Sequence, residues 1–290
     1  MKYQMCEYLK LLLSIKNISI SKDCIKIIIE YFHFNLEYVE KILIEDIKSS
    51  KYIEDFDIIL KDNIDILIEK KNMIDFLLTS DKLIIIASRK LEFYKNNFQI
   101  KERNLKAGIC YRTTYQNDNI FICNSHEDNI KIISTDNRKP KFWSINGKNY
   151  YKKYGGCLSI TSNDNKIYVV TYEKQTCYHK KIHYQYYINI YDNHGLLLKN
   201  SKILKNLTLY VHDFRLIISN NMIFLLFVIS NSINNNILQV YNTDIDLMYE
   251  NTKIFNDIDC YPYVKIISTK DNIIIMCNEY FYIYKYEKIK

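Results

Sequence analysis

The architecture is best seen in two segments of the chain, Asp164-Asn165-Lys166-Ile167-Tyr168-Val169-Val170 and Ile188-Asn189-Ile190-Tyr191-Asp192-Asn193-His194-Gly195. The first opens on an Asp-Asn pair, which favours a tight turn, and continues as an apolar, β-branched run typical of a buried strand. The second alternates apolar and polar residues, which indicates a half-buried strand. Together they predict neighbouring strands of one sheet.

The same order of turn and runs recurs five times along the chain. The turns lie roughly 40 to 55 residues apart, at Ser80-Asp81-Lys82, Asn117-Asp118-Asn119, Asn163-Asp164-Asn165-Lys166, Ser219-Asn220-Asn221 and Lys270-Asp271-Asn272. Apolar runs follow at 83–87, 120–123, 167–171, 222–229 and 273–277, then alternating strands at 91–94, 130–133, 187–192, 237–242 and 281–284. A further run precedes each turn, at 74–79, 109–114, 158–161, 216–219 and 264–268. Candidate fourth strands are Phe142-Trp143, Leu196-Leu197-Leu198 and Leu247-Met248-Tyr249.

Antiparallel four-stranded units repeated at this period are typical of the blades of a β-propeller, which stack radially because no single blade can bury both of its faces. The third unit resembles the blades of NHL, WD and related repeat families. The resemblance implies a mainly β chain with a propeller over residues 61–290, with five blades, or six because the first and last units are the least regular.

Helical spacing marks residues 1–60, which predicts an N-terminal helical module ahead of the propeller. Its third helix is expected to open at Asn35 and to use Tyr38, Ile42, Leu43 and Ile47. The last unit ends before a fourth strand, so the β-like run Ile64-Asp65-Ile66-Leu67-Ile68 is expected to close the ring by strand exchange. A helix over residues 51–71 is the alternative.

The segment from Ile20 to Phe32 contains an apolar residue, an acidic residue and paired apolar positions that end in aromatics, and it resembles the opening of an F-box. The matching residues are Ile20, Asp23, Ile25, Ile28, Ile29, Tyr31 and Phe32. Similar openings occur in repeat proteins of large DNA viruses with A/T-rich genomes. The resemblance implies binding of these residues to a Skp-type adaptor of a cullin-RING ubiquitin ligase, while the propeller recruits an unknown target. The alternative is a scaffold propeller whose helices bury Ile25, Ile28, Ile29 and Phe32 against it.

The sequence predicts no catalytic residues and no cofactor, and therefore a protein that is not an enzyme. It has no Gly-x-Ser-x-Gly motif and no phosphate-cradling glycine pattern, and the inner runs are poor in aspartate. His212-Asp213 is interpreted as a polar contact between blades. Cys177, His179 and His183 are weak candidates for a metal site, against an exposed hairpin.

Composition narrows the expected partners and location. The net charge is +7, but its lysines are scattered among 33 acidic residues, so nucleic acid is not expected as a partner. No apolar run approaches the 18 residues of a membrane span, and the N-terminus does not resemble a signal peptide. The 8 cysteines form no CxxC pair and are expected to be free thiols, which favours a reducing compartment, the cytoplasm, or the host cytoplasm for a viral protein.

Overall fold

A computed structural model describes residues 34–51, 58–69, 73–87, 90–105, 111–124, 129–134, 141–144, 155–176, 182–203, 211–229, 237–251, 264–269, 272–277 and 280–288. The strands of these segments form five four-stranded antiparallel sheets, and the first strand in each of the five chain segments lines one central cavity. The predicted mainly β, five-bladed propeller is confirmed.

Each of the first four blades is one continuous segment that runs from the central cavity to the rim. Blade 1 contains β2 (Met73–Leu78), β3 (Leu83–Ala87), β4 (Lys90–Lys95) and β5 (Phe98–Asn104), and blade 2 contains β6 (Tyr111–Gln116), β7 (Asn119–Asn124), β8 (Asn129–Ser134) and β9 (Lys141–Ser144). Blade 3 contains β10 (Gly155–Asn163), β11 (Lys166–Thr176), β12 (Ile182–Asp192) and β13 (Leu197–Ile203). Blade 4 contains β14 (Val211–Ser219), β15 (Met222–Ile229), β16 (Ile237–Asn242) and β17 (Leu247–Asn251).

The turns between the first and second strands follow local backbone chemistry. In blades 2, 3 and 4 both central residues have positive φ angles, at Asn117 and Asp118, Asp164 and Asn165, and Asn220 and Asn221. This is the signature of a two-residue type I′ turn, whose twist matches that of a hairpin, and Asn and Asp tolerate it better than other residues with a Cβ atom. In blades 1 and 5 the hydroxyl groups of Thr79 and Thr269 instead accept backbone N–H bonds from Lys82 and Asn272, at 3.0 and 3.1 Å.

The second strand of each blade contains a continuous apolar run because both faces of that run are buried. In β3, Ile84 and Ile86 pack toward blade 2, whereas Leu83 and Ile85 pack toward blade 5. A strand buried on both faces reads as a continuous apolar run and not as an alternating one. That is why these five strands could be located from sequence.

Blade 5 is assembled from both ends of the described chain. Its strands β18 (Val264–Ser268), β19 (Asn272–Cys277) and β20 (Tyr280–Lys288) are completed at the rim by β1 (Phe34–Leu43), which pairs antiparallel with β20. Tyr38 packs edge-on against Tyr284, with ring centroids 5.6 Å apart. Ring closure by strand exchange is therefore present.

The prediction that residues 64–68 close the ring is wrong. Ile64–Ile68 lies in helix α2 (Ile64–Glu69), which follows the short helix α1 (Ile58–Lys61), in agreement with the alternative prediction of helix in this region. The strand that closes the ring is β1, in the stretch predicted as the third helix. Its pairing with β20, which covers an otherwise open sheet edge, overrides the helical spacing of Tyr38, Ile42 and Leu43. A 3-10 helix (Ile44–Ser49) that buries Ile47 follows β1.

The 3-10 helix, α1 and α2 fill the junction between blades 5 and 1. Ile47, Leu60 and Leu67 belong to one buried cluster with Phe281 of blade 5 and Leu83 of blade 1. The rest of the predicted helical module, residues 1–33, lies outside the described residues. The boundary between residues 1–60 and 61–290 stays a prediction, although β1 adds residues from the first part to a sheet of the propeller.

Two cysteines differ from the free thiols expected. Cys123 on β7 and Cys157 on β10 form a disulfide that links blades 2 and 3, because the packing of the blades brings together residues 34 positions apart. The prediction of free thiols is wrong for this pair, so these two cysteines do not indicate a reducing compartment, and a cytoplasmic location stays a prediction. Within the described part of the chain, no helix is long and apolar enough to cross a membrane.

Candidate functional site: the central cavity

The five inner strands carry chemically distinct residues at one common register position. The turns that end these strands are closed by pairing of Thr79 with Lys82, Gln116 with Asn119, Asn163 with Lys166, Ser219 with Met222, and Thr269 with Asn272. The residue four positions before the first member of each pair is Asp75, Arg112, Ser159, Arg215 or Lys265. We call these five residues the channel ring. All five line the central cavity, and their equivalent register places them at one level of it.

Asp75 is the best-connected member of the channel ring. Its Oδ1 atom lies 2.5 Å from Lys265 Nζ and accepts the Phe76 N–H bond at 2.9 Å. Its Oδ2 atom accepts bonds from the Thr113 hydroxyl and backbone N–H groups, at 3.0 and 3.3 Å. Lys265 Nζ also donates to the Phe76 carbonyl oxygen at 2.8 Å. Asp75 therefore joins three consecutive blades, 5, 1 and 2.

The surroundings of Asp75 favour its ionised form. Burial by itself raises the pKa of this carboxyl, but the positive charges of Lys265, Arg215 and Arg112, together with the Lys265 hydrogen bond, hold the pKa below its ordinary value. The carboxylate is therefore charged at neutral pH. The same result shows that both arginines lie close enough to act on Asp75 electrostatically.

The other side of the channel ring is cationic. Arg215 is buried, with 6% of its surface exposed, and its Nη1 atom donates to the Phe214 carbonyl oxygen at 3.4 Å. Arg112 is half-buried, and Ser159, on the blade between the two arginines, is buried. Among the described side chains that line the cavity, three are cations and one is an anion, which gives these described residues a net charge of +2.

The cavity changes character toward the turns that end the inner strands. It encloses about 240 Å³. Two residues closer to the turns than the channel ring, the lining is formed by Leu77, Thr114, Thr161, Ile217 and Ile267. The cavity thus combines a charged ring with a largely apolar second level, an arrangement common in sites for small molecules.

None of the residues selected from sequence is among the described residues that line this cavity. The F-box-like positions Ile20, Asp23, Ile25, Ile28, Ile29, Tyr31 and Phe32 lie outside the described residues, as do Cys177 and His179. His183 lies in strand β12 opposite Gln175. No group of three or more His, Cys, Asp or Glu side chains suited to a metal ion occurs in the described segments. The adaptor-binding residues and the metal site stay predictions.

Sequence reasoning missed the channel ring, although a signal for it was present. The chain has 5 arginines, and two of them, Arg112 and Arg215, occupy the same position relative to their turns. An alignment of the five units on their turns would have placed Asp75, Lys265 and both arginines in one column. The charged column could then have been separated from the scattered surface lysines.

No protein-family model and no curated protein matches the sequence. Among solved structures, the fold is similar to a glutaminyl cyclase from Myxococcus xanthus, with a TM-score of 0.50, 6% identity, and coverage of 87% of this chain and 96% of that chain. A weaker likeness is to a subtype N10 neuraminidase-like protein of A/little yellow-shouldered bat/Guatemala, with a TM-score of 0.41, 9% identity, and coverage of 72% of this chain and 79% of that chain. Another is to a chain of the mitotic checkpoint complex, with a TM-score of 0.45, 10% identity, and coverage of 73% of this chain and 62% of that chain.

The prediction that the chain is not an enzyme is wrong. It treated the propeller as a purely interacting scaffold, whereas the glutaminyl cyclase shares this fold at a TM-score of 0.50. The shared architecture identifies a fold and not a reaction. The chain is a five-bladed β-propeller with a charged central cavity.

Proposed function

We propose that this chain is an interaction protein that recruits a target to a ubiquitin ligase. In this proposal the propeller binds the target protein, and the F-box-like segment Ile20–Phe32 binds the Skp-type adaptor of a cullin-RING ligase. The chain contributes by tethering, because two binding surfaces on one molecule raise the effective concentration of the target near the ligase.

The observation that carries the proposal is the place where the chain enters the propeller. Strand β1 begins at Phe34, directly after the F-box-like segment, and it is the rim strand of blade 5. A partner held by residues 20–32 would therefore join the propeller at its rim and not at the central cavity. That connection is short, which favours a high effective concentration if the geometry allows both partners to bind.

Exposed apolar side chains on outer strands support a protein-binding role for the propeller. Phe98 on β5 is 75% exposed, and Leu197 and Leu247 lie exposed at the start of β13 and β17. The hairpins that carry these two leucines are joined by Lys199, whose Nζ atom donates to the Asp244 carbonyl oxygen at 2.6 Å. Isolated exposed leucines are normal, but neighbouring ones on adjacent blades fit the edge of a protein interface.

The test is co-purification of the tagged chain with a Skp-type adaptor. We expect recovery of the adaptor with the wild type, and its loss with Ile28→Asp and with a chain that starts at Phe34. The second variant keeps β1, so blade 5 retains all four of its strands. A start at Met73 would remove β1 and α2 and is unsuitable.

Ile100→Asp is the matched control, because it makes the same substitution at a half-exposed position on β5 of the propeller. It should retain the adaptor. Absence of the adaptor from a folded wild type, or its retention by the chain that starts at Phe34, would contradict the adaptor proposal. A stable homo-oligomer without adaptor would instead favour a scaffold role.

A further inference from the structure

We propose that the disulfide between Cys123 and Cys157 is a reversible redox lock on the central cavity. Oxidation joins blade 2 to blade 3 behind the channel ring, and reduction by a monothiol such as glutathione releases this part of the cavity wall. The inference does not depend on the adaptor proposal, because it concerns the junction of two blades and not residues 20–32.

The first argument is the position of the disulfide directly behind the cavity wall. Cys123 on β7 is the cross-strand partner of Arg112 on β6, and Cys157 on β10 precedes Ser159 by two residues. Arg112 and Ser159 are the members of the channel ring on blades 2 and 3, and both line the cavity. The disulfide therefore couples the backbone positions of two neighbouring members of the channel ring.

The second argument is the way in which blades 2 and 3 are held together. Near the turns, the Ser162 hydroxyl lies 2.8 Å from the Thr114 hydroxyl and donates to the Tyr115 carbonyl oxygen at 3.0 Å. Cys157 precedes Ser162 on the same strand, about 15 Å away at the usual rise of a strand. Hydrogen bonds thus hold one end of the junction, and the disulfide holds it toward the other end. When the disulfide is reduced, the hydrogen-bonded end can act as a pivot.

The third argument is the irregular pairing around Cys157. The pairing of β10 with β11 shifts register between Gly155 and Cys157, and again between Cys157 and Ser159. Each shift disrupts the ladder locally, which makes this stretch easier to displace than a regular strand. In contrast, β6 and β7 pair without a shift over all six of their partners. The part of the junction that moves is therefore the β10 segment that carries Cys157.

The packing accommodates both redox states. Both cysteines belong to one buried cluster that includes Phe121 and Ile160. Cys123 Sγ lies 3.8 Å from the Cys157 carbonyl oxygen, and Cys157 Sγ lies 3.5 Å from the Ser159 carbonyl oxygen, so each thiol would have an acceptor in reach after reduction. Two thiol groups need more room than a bonded pair of sulfur atoms, and a close-packed cluster provides that room only if a strand shifts.

The chemical step is thiol–disulfide exchange with two glutathione molecules. The thiolate of the first attacks one sulfur atom, the bond between Cys123 and Cys157 breaks, and a mixed disulfide forms. The thiolate of the second attacks the glutathione sulfur of the mixed disulfide, which leaves two protein thiols and one molecule of oxidised glutathione. The two protons come from the two glutathione thiols.

Burial of the disulfide couples this chemistry to movement of the blades. Cys123 is 0% exposed and Cys157 is 1% exposed, so a thiolate reaches them only after the junction opens locally. Disulfides that form in reducing compartments are mostly transient, catalytic or redox-sensing, and a buried pair is unsuited to catalysis of exchange. In the predicted cytoplasmic location, a sensing role therefore fits this pair best.

The first experiment is a redox titration of the full chain in glutathione buffers that range from mostly reduced to mostly oxidised, followed by acid quench, alkylation and mass spectrometry. We expect Cys123 and Cys157 to change from alkylated to joined, with the same midpoint from both directions. Cys277→Ala is the matched control, because Cys277 lies on β19 of blade 5, and it should leave the midpoint unchanged. A pair that stays joined in the most reducing buffer, or that never joins in the most oxidising one, would overturn the proposal.

The second experiment measures the movement by hydrogen–deuterium exchange of the oxidised and reduced wild type, and of Cys123→Ala and Cys157→Ala. We expect amide exchange in residues 155–159 to be at least about tenfold faster in the reduced chain. Both variants should match the reduced wild type in either buffer. Strand β17 of blade 4 is the internal control and should exchange equally in all samples. Equal rates for residues 155–159 in both redox states, or an equal acceleration in β17, would show that the disulfide does not control this wall of the cavity.

Discussion

Asp75 and Lys265 form an ion pair, so their contributions to the free energy of unfolding should be coupled, and a double-mutant cycle measures this coupling directly. Asp75→Asn keeps the shape of the side chain but removes the carboxylate that pairs with Lys265 and attracts both arginines. Asp75 is buried, with 7% of its side chain exposed, so we expect a loss of about 3 to 5 kcal/mol in the free energy of unfolding. The side chain of Lys265 is 22% exposed. Lys265→Met should therefore lower the free energy of unfolding by less, about 2 to 3 kcal/mol, because solvent and the positive charges of the arginines still stabilise the Asp75 carboxylate.

The double variant should lose less than the sum of the two single losses, by about 1 to 3 kcal/mol, because the residues are in direct contact. Urea unfolding followed by tyrosine fluorescence and circular dichroism gives the four free energies, provided that both probes report the same transition. Additive losses, with a coupling below about 0.5 kcal/mol, would refute the assignment of this contact as a stabilising ion pair.

The pH dependence of the same variants provides an independent check. The folded pKa of Asp75 lies below its ordinary value, so its contribution is fully present above the unfolded pKa, near 3.9, and is lost as the pH falls through the lower folded pKa. The stability difference between the wild type and Asp75→Asn should therefore stay constant from about pH 7 to 5 and shrink only below about pH 4. A difference that shrinks between pH 7 and 5 would contradict a lowered pKa.

Three further perturbations test the fold. A reductant should lower the free energy of unfolding of the wild type by about 3 to 4 kcal/mol, the entropic contribution of a disulfide that closes a loop of 34 residues, and should lower its Tm accordingly. The reductant should have little effect on Cys123→Ser. An equal response of both chains would exclude a stabilising disulfide. Asn221→Val should destabilise blade 4 by about 1 to 2 kcal/mol in urea unfolding, because a β-branched residue fits poorly at a φ of 59°, whereas Asn221→Gly should be neutral or slightly stabilising. A chain that starts at Ile44 lacks β1 and should aggregate in size-exclusion chromatography through the open edge of β20, while one that starts at Phe34 should stay monodisperse; equal behaviour would show that β1 is dispensable.

The fold class was readable from sequence because its signals are local. The Asn and Asp pairs at the turns of blades 2, 3 and 4 adopt positive φ angles that few other residues tolerate, so they mark the turns without reference to the rest of the chain. The runs that follow them are buried on both faces, which makes them continuously apolar. Turn chemistry and burial together gave the blade count.

Features that depend on distant parts of the chain could be decided only by the tertiary structure. Tyr38 and Ile42 have helical spacing but lie in a strand, because pairing with β20, at the other end of the chain, covers an otherwise open sheet edge. The disulfide between Cys123 and Cys157 depends on the packing of blade 2 against blade 3. The charged cavity arises in the same way: Asp75 and Lys265 lie 190 residues apart, and only closure of the ring places the carboxylate against the ammonium group. Backbone preferences depend on neighbouring residues and can be predicted from sequence, whereas electrostatic and packing partners depend on the topology of the folded chain.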